Sequence, residues 1–450
     1  MSKMKKLRKK NKVNKAFFDK AHQQNFLSQR GRYPESEKNL LITLLNSALF
    51  FIFIFFLPTQ LGKHFFPPFS YLNGIRIDYL SPTVYLTDIV VFLLFIFNFK
   101  LIIEFFKNKK VLFALGILMV NIFFATNQLL AVYRFIKIIE FLIVFYLGSQ
   151  LLKIIREKVL LFILFFAGAL QLGLAVFQMN FKHSLQGIFY LFGERLMNLS
   201  TPGIAKASIN GVEFLRPYGT FSHPNSLAGF FLLLYFFVLT YKKFNEHFIF
   251  KYLCLFIFSS LIFISFSKTA ILTFLILNTL YFILHTKIKC LPCKLARIFI
   301  PLILSLVFLM AITDPLTLDK RIELVKNTFW IIINRPIFGT GLNNYLLIQN
   351  TYPSKYFLFF NQPVHNIFLL FLAELGILLG GVLILLMYKQ IYKFFIKNYF
   401  LVLVVLITGF FDHYWLTLEQ NFLLMAFIYG SLSSAFFISK LSLRSSSSSG

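Results

Sequence analysis

Apolar runs of 16 to 24 residues recur along the chain, separated by shorter stretches that carry most of the charge. At 1.5 Å per helical residue, runs of this length match a hydrocarbon core about 30 Å thick. Twelve are found, at 39–57, 83–106, 111–126, 129–149, 158–178, 225–241, 250–266, 269–285, 295–312, 364–386, 396–412 and 417–437. The pattern predicts an all-α polytopic membrane protein with about 12 transmembrane helices. The third and seventh runs are short and are expected to extend or tilt.

Charge tests that count. With the N-terminus on the inner side, the inner segments are 1–38, 100–110, 150–158, 242–251, 287–297, 389–397 and 440–444, and they hold 31 of the 45 Lys and Arg. The outer connections 125–128 and 413–416 hold none. Positive charge gathers on the cytoplasmic side of membrane proteins, and one missed or invented span would scramble every later loop. Residues 1–38 are expected to form a basic cytoplasmic arm able to touch anionic lipid. Residues 39–437 form the transmembrane domain, and 438–450 a cytoplasmic tail. The net charge of +28 therefore reads as topology, and no nucleic-acid partner is expected. Only 14% of residues are charged, against about 25% in soluble domains, which excludes a soluble globule. No cleavable signal peptide is evident. Cys290 and Cys293 form a lone CxxC, two ligands where a structural zinc site needs four, so no metal is assigned.

Two outer segments are long, 179–224 and 313–363, and neither is low in complexity. They are expected to pack together as a small external cap. The first ends in RPYGTFSHPNSLAGF, Arg216 to Phe230. Pro224 suits the first turn of a helix, whose N-terminus would offer N–H groups to an anion, with Arg216, Tyr218, His223 and Asn225 close in sequence. A turn that only caps a membrane helix fits the same residues. In SFSKTA, Lys268 is a cation on the outer side, against the charge trend, and is either an anion contact or an interfacial side chain that snorkels. The second loop holds Arg321, Glu323 and Lys326, then Gly339 and Gly341 in GTG, a permissive turn. His365 and Asn366 open the tenth span, and histidine is suited to acid–base work near neutral pH. Within the fourth span Arg134, Lys137 and Glu140 share one helical face. They are expected to face a cavity, an internal Lys137–Glu140 pair being the alternative.

This topology places Arg216, His223, Lys268, Arg321 and His365 all on the outer side. Several cations and a histidine at the outer face suit a lipid-linked phosphate or diphosphate, since guanidinium binds phosphate oxygens in pairs. No acidic cluster of the kind that holds Mg²⁺ or Zn²⁺ is seen with them in the sequence, so transfer without a metal is expected.

The order of these motifs resembles the O-antigen ligase/O-antigen polymerase superfamily. RPYGTFSHPN, SFSKTA, Arg321 through GTG, and VHNIFLLFLAELGILLG follow one another as that family's motifs do, and DYLSPTVYLTDIVVFLLF, from Asp78, is similar to its opening. The resemblance covers about residues 40–435. It implies a bundle like that of C-type glycosyltransferases, in the bacterial inner membrane, with the active site on the periplasmic face. It also implies an inverting, metal-independent glycosyltransferase that needs no cofactor. The implied partners are an undecaprenyl-pyrophosphate-linked glycan donor and a lipid or glycan acceptor. By the same resemblance Arg216 and Arg321 hold the diphosphate, His365 acts on the acceptor hydroxyl, and Asn366 supports His365. Lys268 stands where the family often has Arg, which keeps charge but loses the fork. Ligase, polymerase and protein O-glycosylase remain open, with ligase in the lead. A polysaccharide transporter or flippase is the rival of another class, but the internal repeats and broken mid-membrane helices typical of transporters are not found in the sequence.

Overall fold

The computed structural model describes residues 37–433 apart from 152–154, 210, 286–289, 291, 293–294, 296–298, 300–302, 304–314, 354 and 357–360. The basic arm, the tail, Cys293 and most of the expected ninth span lie outside the described residues. Internal contacts divide the chain into two units, Met1–Phe50 and Phe51–Gly450, and the site lies wholly in the second.

Helices stand where the other apolar runs predict them: α1 Glu37–Phe56, α2 Leu86–Phe97, α3 Phe99–Phe106, α4 Lys109–Phe123, α5 Gln128–Leu151, α6 Glu157–Phe181, α7 Pro224–Thr240, α8 Phe248–Ile264, α9 Lys268–His285, α12 Ile367–Phe411 and α14 Glu419–Leu432. The long loops add α10 Pro315–Asn334 and α11 Tyr345–Gln349, and α13 Tyr414–Thr417 sits between α12 and α14. Three small antiparallel pairs complete the described structure: β1 Gly62–His64 with β4 Thr83–Tyr85, β2 Tyr71–Leu72 with β3 Ile75–Arg76, and β5 Lys206–Ile209 with β6 Val212–Leu215.

The structure does not confirm twelve spans. Four helical segments are long and apolar enough to cross a membrane, namely Glu157–Phe181, Lys242–Ile264, Lys268–His285 and Ile367–Phe411. A fifth is added if α2 and α3, bent by 92° at their junction, form one span. The shortfall has local causes. α4 and α7 have 15 and 17 residues, and α5 carries Arg134, Lys137 and Glu140 in its interior.

The α12 segment also folds back on itself. Straight, its 45 residues would extend roughly 67 Å. Yet Asn366 Nδ2 donates to the Phe410 carbonyl at 3.1 Å. The helix is broken at Gly376 (φ 77°) and Asn398 (φ −132°, ψ 38°), and residues 399–411 form a return leg. The expected tenth and eleventh runs are thus two legs of one broken helix.

The first break is built by the GTG turn. Thr340 N–H donates to the Ala373 carbonyl at 2.9 Å and Gly341 N–H to the Glu374 carbonyl at 3.0 Å. The Asn121 amide donates to the carbonyls of Phe338 (2.8 Å) and Glu374 (3.0 Å). Gly339 has φ 64°, and a Cβ there would stand 2.5 Å from the Glu374 carbonyl group and the Gly376 nitrogen. The glycines serve a backbone docking that no larger residue fits.

The cap is arranged differently from the sequence expectation. Loop 313–363 buries Leu324, Ile331, Tyr345 and Ile348 against Leu72, Ile77 and Leu80 of the segment before α2. Loop 179–224 has its own small core of Met197, Leu215 and Tyr218. The strand-bearing segment between α1 and α2 is therefore a third part of the cap.

Gly339→Ala combines a left-handed backbone, which costs about 1–2 kcal/mol for an L-residue, with a direct clash. It is expected to lower the melting temperature of the purified protein by several degrees. Gly381→Ala, where a Cβ meets nothing within 4 Å, is the control and should melt as wild type.

Candidate functional site

The strip from Arg216 to His223 is held by two glutamines one above the other on α6. Gln178 Oε1 accepts from the N–H groups of Tyr218 (3.0 Å) and Gly219 (2.8 Å). Gln171 Oε1 accepts from Thr220 N–H at 3.1 Å, and its amide donates to Thr220 Oγ1 at 2.8 Å. Both glutamines are fully buried, so each is committed to this backbone, because an unpaired buried amide is costly. Tyr218 is 2% exposed, and its hydroxyl accepts from Ala205 N–H at 2.9 Å.

Pro224 opens α7 as predicted, but the helix start is already capped. His223 Nδ1 accepts from Asn225 N–H at 3.1 Å, and the His223 carbonyl accepts from the N–H groups of Ser226 and Leu227. The cap takes the N–H groups that the sequence reading offered to an anion. α7 is then locked to α14, where Ser226 Oγ donates to Asn421 Oδ1 at 2.5 Å and the Asn421 amide donates back to the Ser226 carbonyl at 3.1 Å.

Arg216 is held on two sides. Its Nε donates to the Ser265 carbonyl at 2.9 Å, and its Nη2 to Asn225 Oδ1 at 2.8 Å. The SFSKTA turn thus contributes a backbone acceptor, while Lys268 opens α9. Asn225 passes the chain onward, its amide donating to Asp412 Oδ2 at 3.0 Å. Asp412 Oδ1 accepts from His413 N–H at 2.8 Å and stands 3.5 Å from His365 Nδ1, at ion-pair distance. The His365 and His413 rings lie 5.2 Å apart, and His413 Nδ1 is 2.7 Å from Thr417 Oγ1. Tyr79 meets the His413 ring edge-on at 5.5 Å.

Arg321, on α10, is close enough to Arg216, His223 and His413 for its charge to act on all three. Its Nε is buried without a hydrogen-bond partner. Burial lowers Arg216 to about 10, which leaves it cationic at neutral pH. Burial pushes His223 and His413 down to about 3, with the Asp412 charge acting in the opposite sense. Both imidazoles are therefore neutral at pH 7.

Five of the sequence-derived residues are brought together: Arg216, His223, Asn225, Arg321 and His365. Asn366 has a different task from the one expected, because its Oδ1 caps α12 by accepting from the N–H groups of Phe368 and Leu369. Arg134 and Lys137 are committed elsewhere. Arg134 donates to the Leu416 carbonyl and lies over the Phe422 ring at 4.3 Å. The Lys137 ammonium, 2% exposed, is 2.5 Å from Asp88, 3.2 Å from Glu140 and 3.4 Å from Glu419. The alternative reading of an internal pair holds for Lys137, enlarged by two carboxylates.

Sequence reasoning missed Asp412 and His413. The signal was there: an acidic residue at the outer end of an apolar run, in a chain with only 17 Asp and Glu. Asp412 places a single carboxylate beside the cations, where the sequence reading expected no acidic cluster. Among the described residues two groups offer metal-ligating atoms within 4.8 Å of one another, His365–Asp412–His413 and Asp88–Glu140–Glu419. In the second the Lys137 ammonium supplies a cation. In the first both Asp412 oxygens already accept hydrogen bonds.

Arg216 and Arg321 thus stand near an Asp–His pair. Residues 225–385 match the O-antigen ligase family model. That match supports placing the chain in the O-antigen ligase superfamily. The matched stretch contains Asn225, Lys268, Arg321, His365 and Asn366. Arg216, His223, Asp412 and His413 lie outside it and join the site through the fold. A search of curated proteins finds no match.

The buried histidines predict an acid-sensitive fold. An unfolded histidine titrates near 6.5, so a folded value near 3 contributes stability that is complete above pH 6.5 and is lost as pH falls toward 3. At pH 5 the loss is on the order of 2 kcal/mol per histidine. The melting temperature is expected to drop between pH 7 and pH 5, and His413→Gln should reduce the drop. Equal melting at both pH values in wild type would contradict burial of neutral imidazoles.

Proposed function

We propose that the protein transfers an oligo- or polysaccharide from undecaprenyl pyrophosphate to an acceptor hydroxyl at the outer face of the bacterial inner membrane, with inversion, as an O-antigen ligase does. The observation that carries this reading is the hydrogen-bonded run Arg216–Asn225–Asp412, with His365 Nδ1 3.5 Å from Asp412 and Arg321 alongside. On this reading Arg216 and Arg321 meet the diphosphate, and His365, 3.5 Å from Asp412, acts as the base.

The chemistry follows from these roles. The acceptor oxygen attacks the anomeric carbon while its proton passes to His365. The bond from that carbon to the diphosphate oxygen breaks on the opposite face, and the electron pair leaves with the diphosphate. Arg216 and Arg321 stabilise the charge that accumulates there, the kind of preorganised electrostatics that contributes most to such steps. Asp412 holds the His365 ring and stabilises the imidazolium once the proton arrives, as a carboxylate does beside a catalytic histidine. Asn225 positions both Arg216 and Asp412. Lys268 and Tyr218 complete the donor side.

Transfer is measured with purified protein, an undecaprenyl-pyrophosphate oligosaccharide and candidate lipid, glycan and peptide acceptors, read by mass. His365→Ala and Arg321→Ala are expected to lower the rate by at least about a hundredfold while remaining folded, and Arg321→Lys should rescue poorly because it loses the fork. Full transfer by folded His365→Ala would remove that residue from the chemistry. The acceptor labelled by wild type separates ligase from polymerase and protein O-glycosylase. Chelation by EDTA should leave the rate unchanged. Strong inhibition reversed by a divalent cation would instead make His365, Asp412 and His413 metal ligands.

A further inference from the structure

At the far end of α7 from Arg216 and His365 lies a cavity of about 260 Å³ lined by Thr240, Tyr241, Lys242, Lys243, Lys397 and Asn398, and by the first turn of the return leg, Tyr399 to Leu401. The 17 residues of α7 separate it from the site by about 25 Å, so it is no part of the transfer machinery. It forms where α7 ends and the broken helix α12 reverses at Asn398.

Its chemistry favours an anion of small charge. Three lysines border it. Lys243 is bridged to Glu157 at 3.0 Å, Glu246 is near enough to act on Lys243, and Lys251 adds an ammonium at the end of α7. The return leg begins here, and a helix N-terminus adds partial positive charge and N–H groups. At the last turn of α7 the Leu239 carbonyl is taken by Lys251 Nζ at 3.0 Å and the Phe237 carbonyl by Tyr241 N–H, and the Thr240 end of that turn lines the same space and suits a hydroxyl donor. The lining also includes apolar Phe400, Leu401 and Leu432, and α8, which begins seven residues after Tyr241, opens with exposed Phe248 (62%) and Ile249 (58%). Such faces suit acyl chains. The volume is too small for a glycan, since drug-sized sites run from about 300 Å³ upward. Basic pockets between membrane helices on the inner side bind lipid headgroups, and Lys242, Lys243 and Lys397 belong to the segments that charge alternation assigns to the inner side.

We propose that this cavity binds the phosphodiester headgroup of an anionic, hydroxyl-bearing membrane lipid, with the acyl chains lying along α8 and α12. A free phosphate shares the headgroup's anionic chemistry. The apolar rim favours the lipid.

The test uses the full chain purified in detergent, with melting temperature as readout, titrated separately with phosphatidylglycerol, phosphatidylcholine and inorganic phosphate. Phosphatidylglycerol alone is expected to raise the melting temperature by several degrees. The triple variant K242Q/K243Q/K397Q should need at least about tenfold more of that lipid for the same shift. Lys397→Gln alone, expected to weaken the response in the same sense, keeps the test open if the triple variant is poorly folded. An equal shift with phosphatidylcholine, or an unchanged phosphatidylglycerol response in these variants, would overturn the proposal. A matching shift from inorganic phosphate alone would replace the lipid with a soluble anion. None of these readouts depends on glycan transfer, so a failed transfer reading leaves them intact.

Discussion

The reversal of residues 367–411 is the constraint on which the site depends. His365 and Asp412 are 47 positions apart in sequence, and they meet only because the helix between them breaks and returns. The Asn366 amide on the Phe410 carbonyl closes this fold-back at 3.1 Å. At Gly409 a Cβ would stand 2.4 Å from Ile367, so the return leg passes close against the start of the outgoing one. The breaks themselves are prepared elsewhere. The GTG turn docks on the backbone at Gly376, and Asn121 on α4 ties the carbonyls of Phe338 and Glu374 together.

Around that reversal many of the polar groups are paired within the protein. Gln171 and Gln178 satisfy the backbone of residues 218–220. Ser226 and Asn421 satisfy each other. Asn225 gives its oxygen to Arg216 and its amide to Asp412. In an apolar surrounding each unsatisfied group would cost several kcal/mol, so this network offsets the cost of holding the Arg216 guanidinium near Asp412 and His223. The Lys137 cluster does comparable work between α2, α5 and α14. Removing one member of a buried ion group typically costs about 3–5 kcal/mol. Gly148 and Gly430 let α5 and α14 approach closely enough to form it, since a Cβ at either would stand within 2.8 Å of a backbone atom on the partner helix. Small residues serve close approach of this kind in membrane helices.

The site residues divide by how they could be found. Arg216, Arg321 and His365 were legible because an arginine or histidine at the outer end of an apolar run is out of place for topology alone. Asp412 gave only the weak signal of one acidic residue at the outer end of an apolar run, and its meaning comes from His365 and Asn225. Lys137 and Arg134 were legible as buried ionisable residues, yet the face they share meets Asp88, Glu419 and Leu416 of other helices. The GTG glycines read as a permissive turn and prove to be a steric fit between two backbones.

The sequence by itself determined the helical membrane class, the placing of nearly every described helix, and the segments that supply most of the candidate site. It could do so because hydropathy and charge are local properties that the bilayer reads one run at a time. The tertiary structure decided which helices break, which loops share a core, and which side chains meet. Those outcomes rest on contacts between residues tens to hundreds of positions apart, Arg216 with Ser265 and Asn225 with Asp412 among them, and no single run of sequence encodes such a contact.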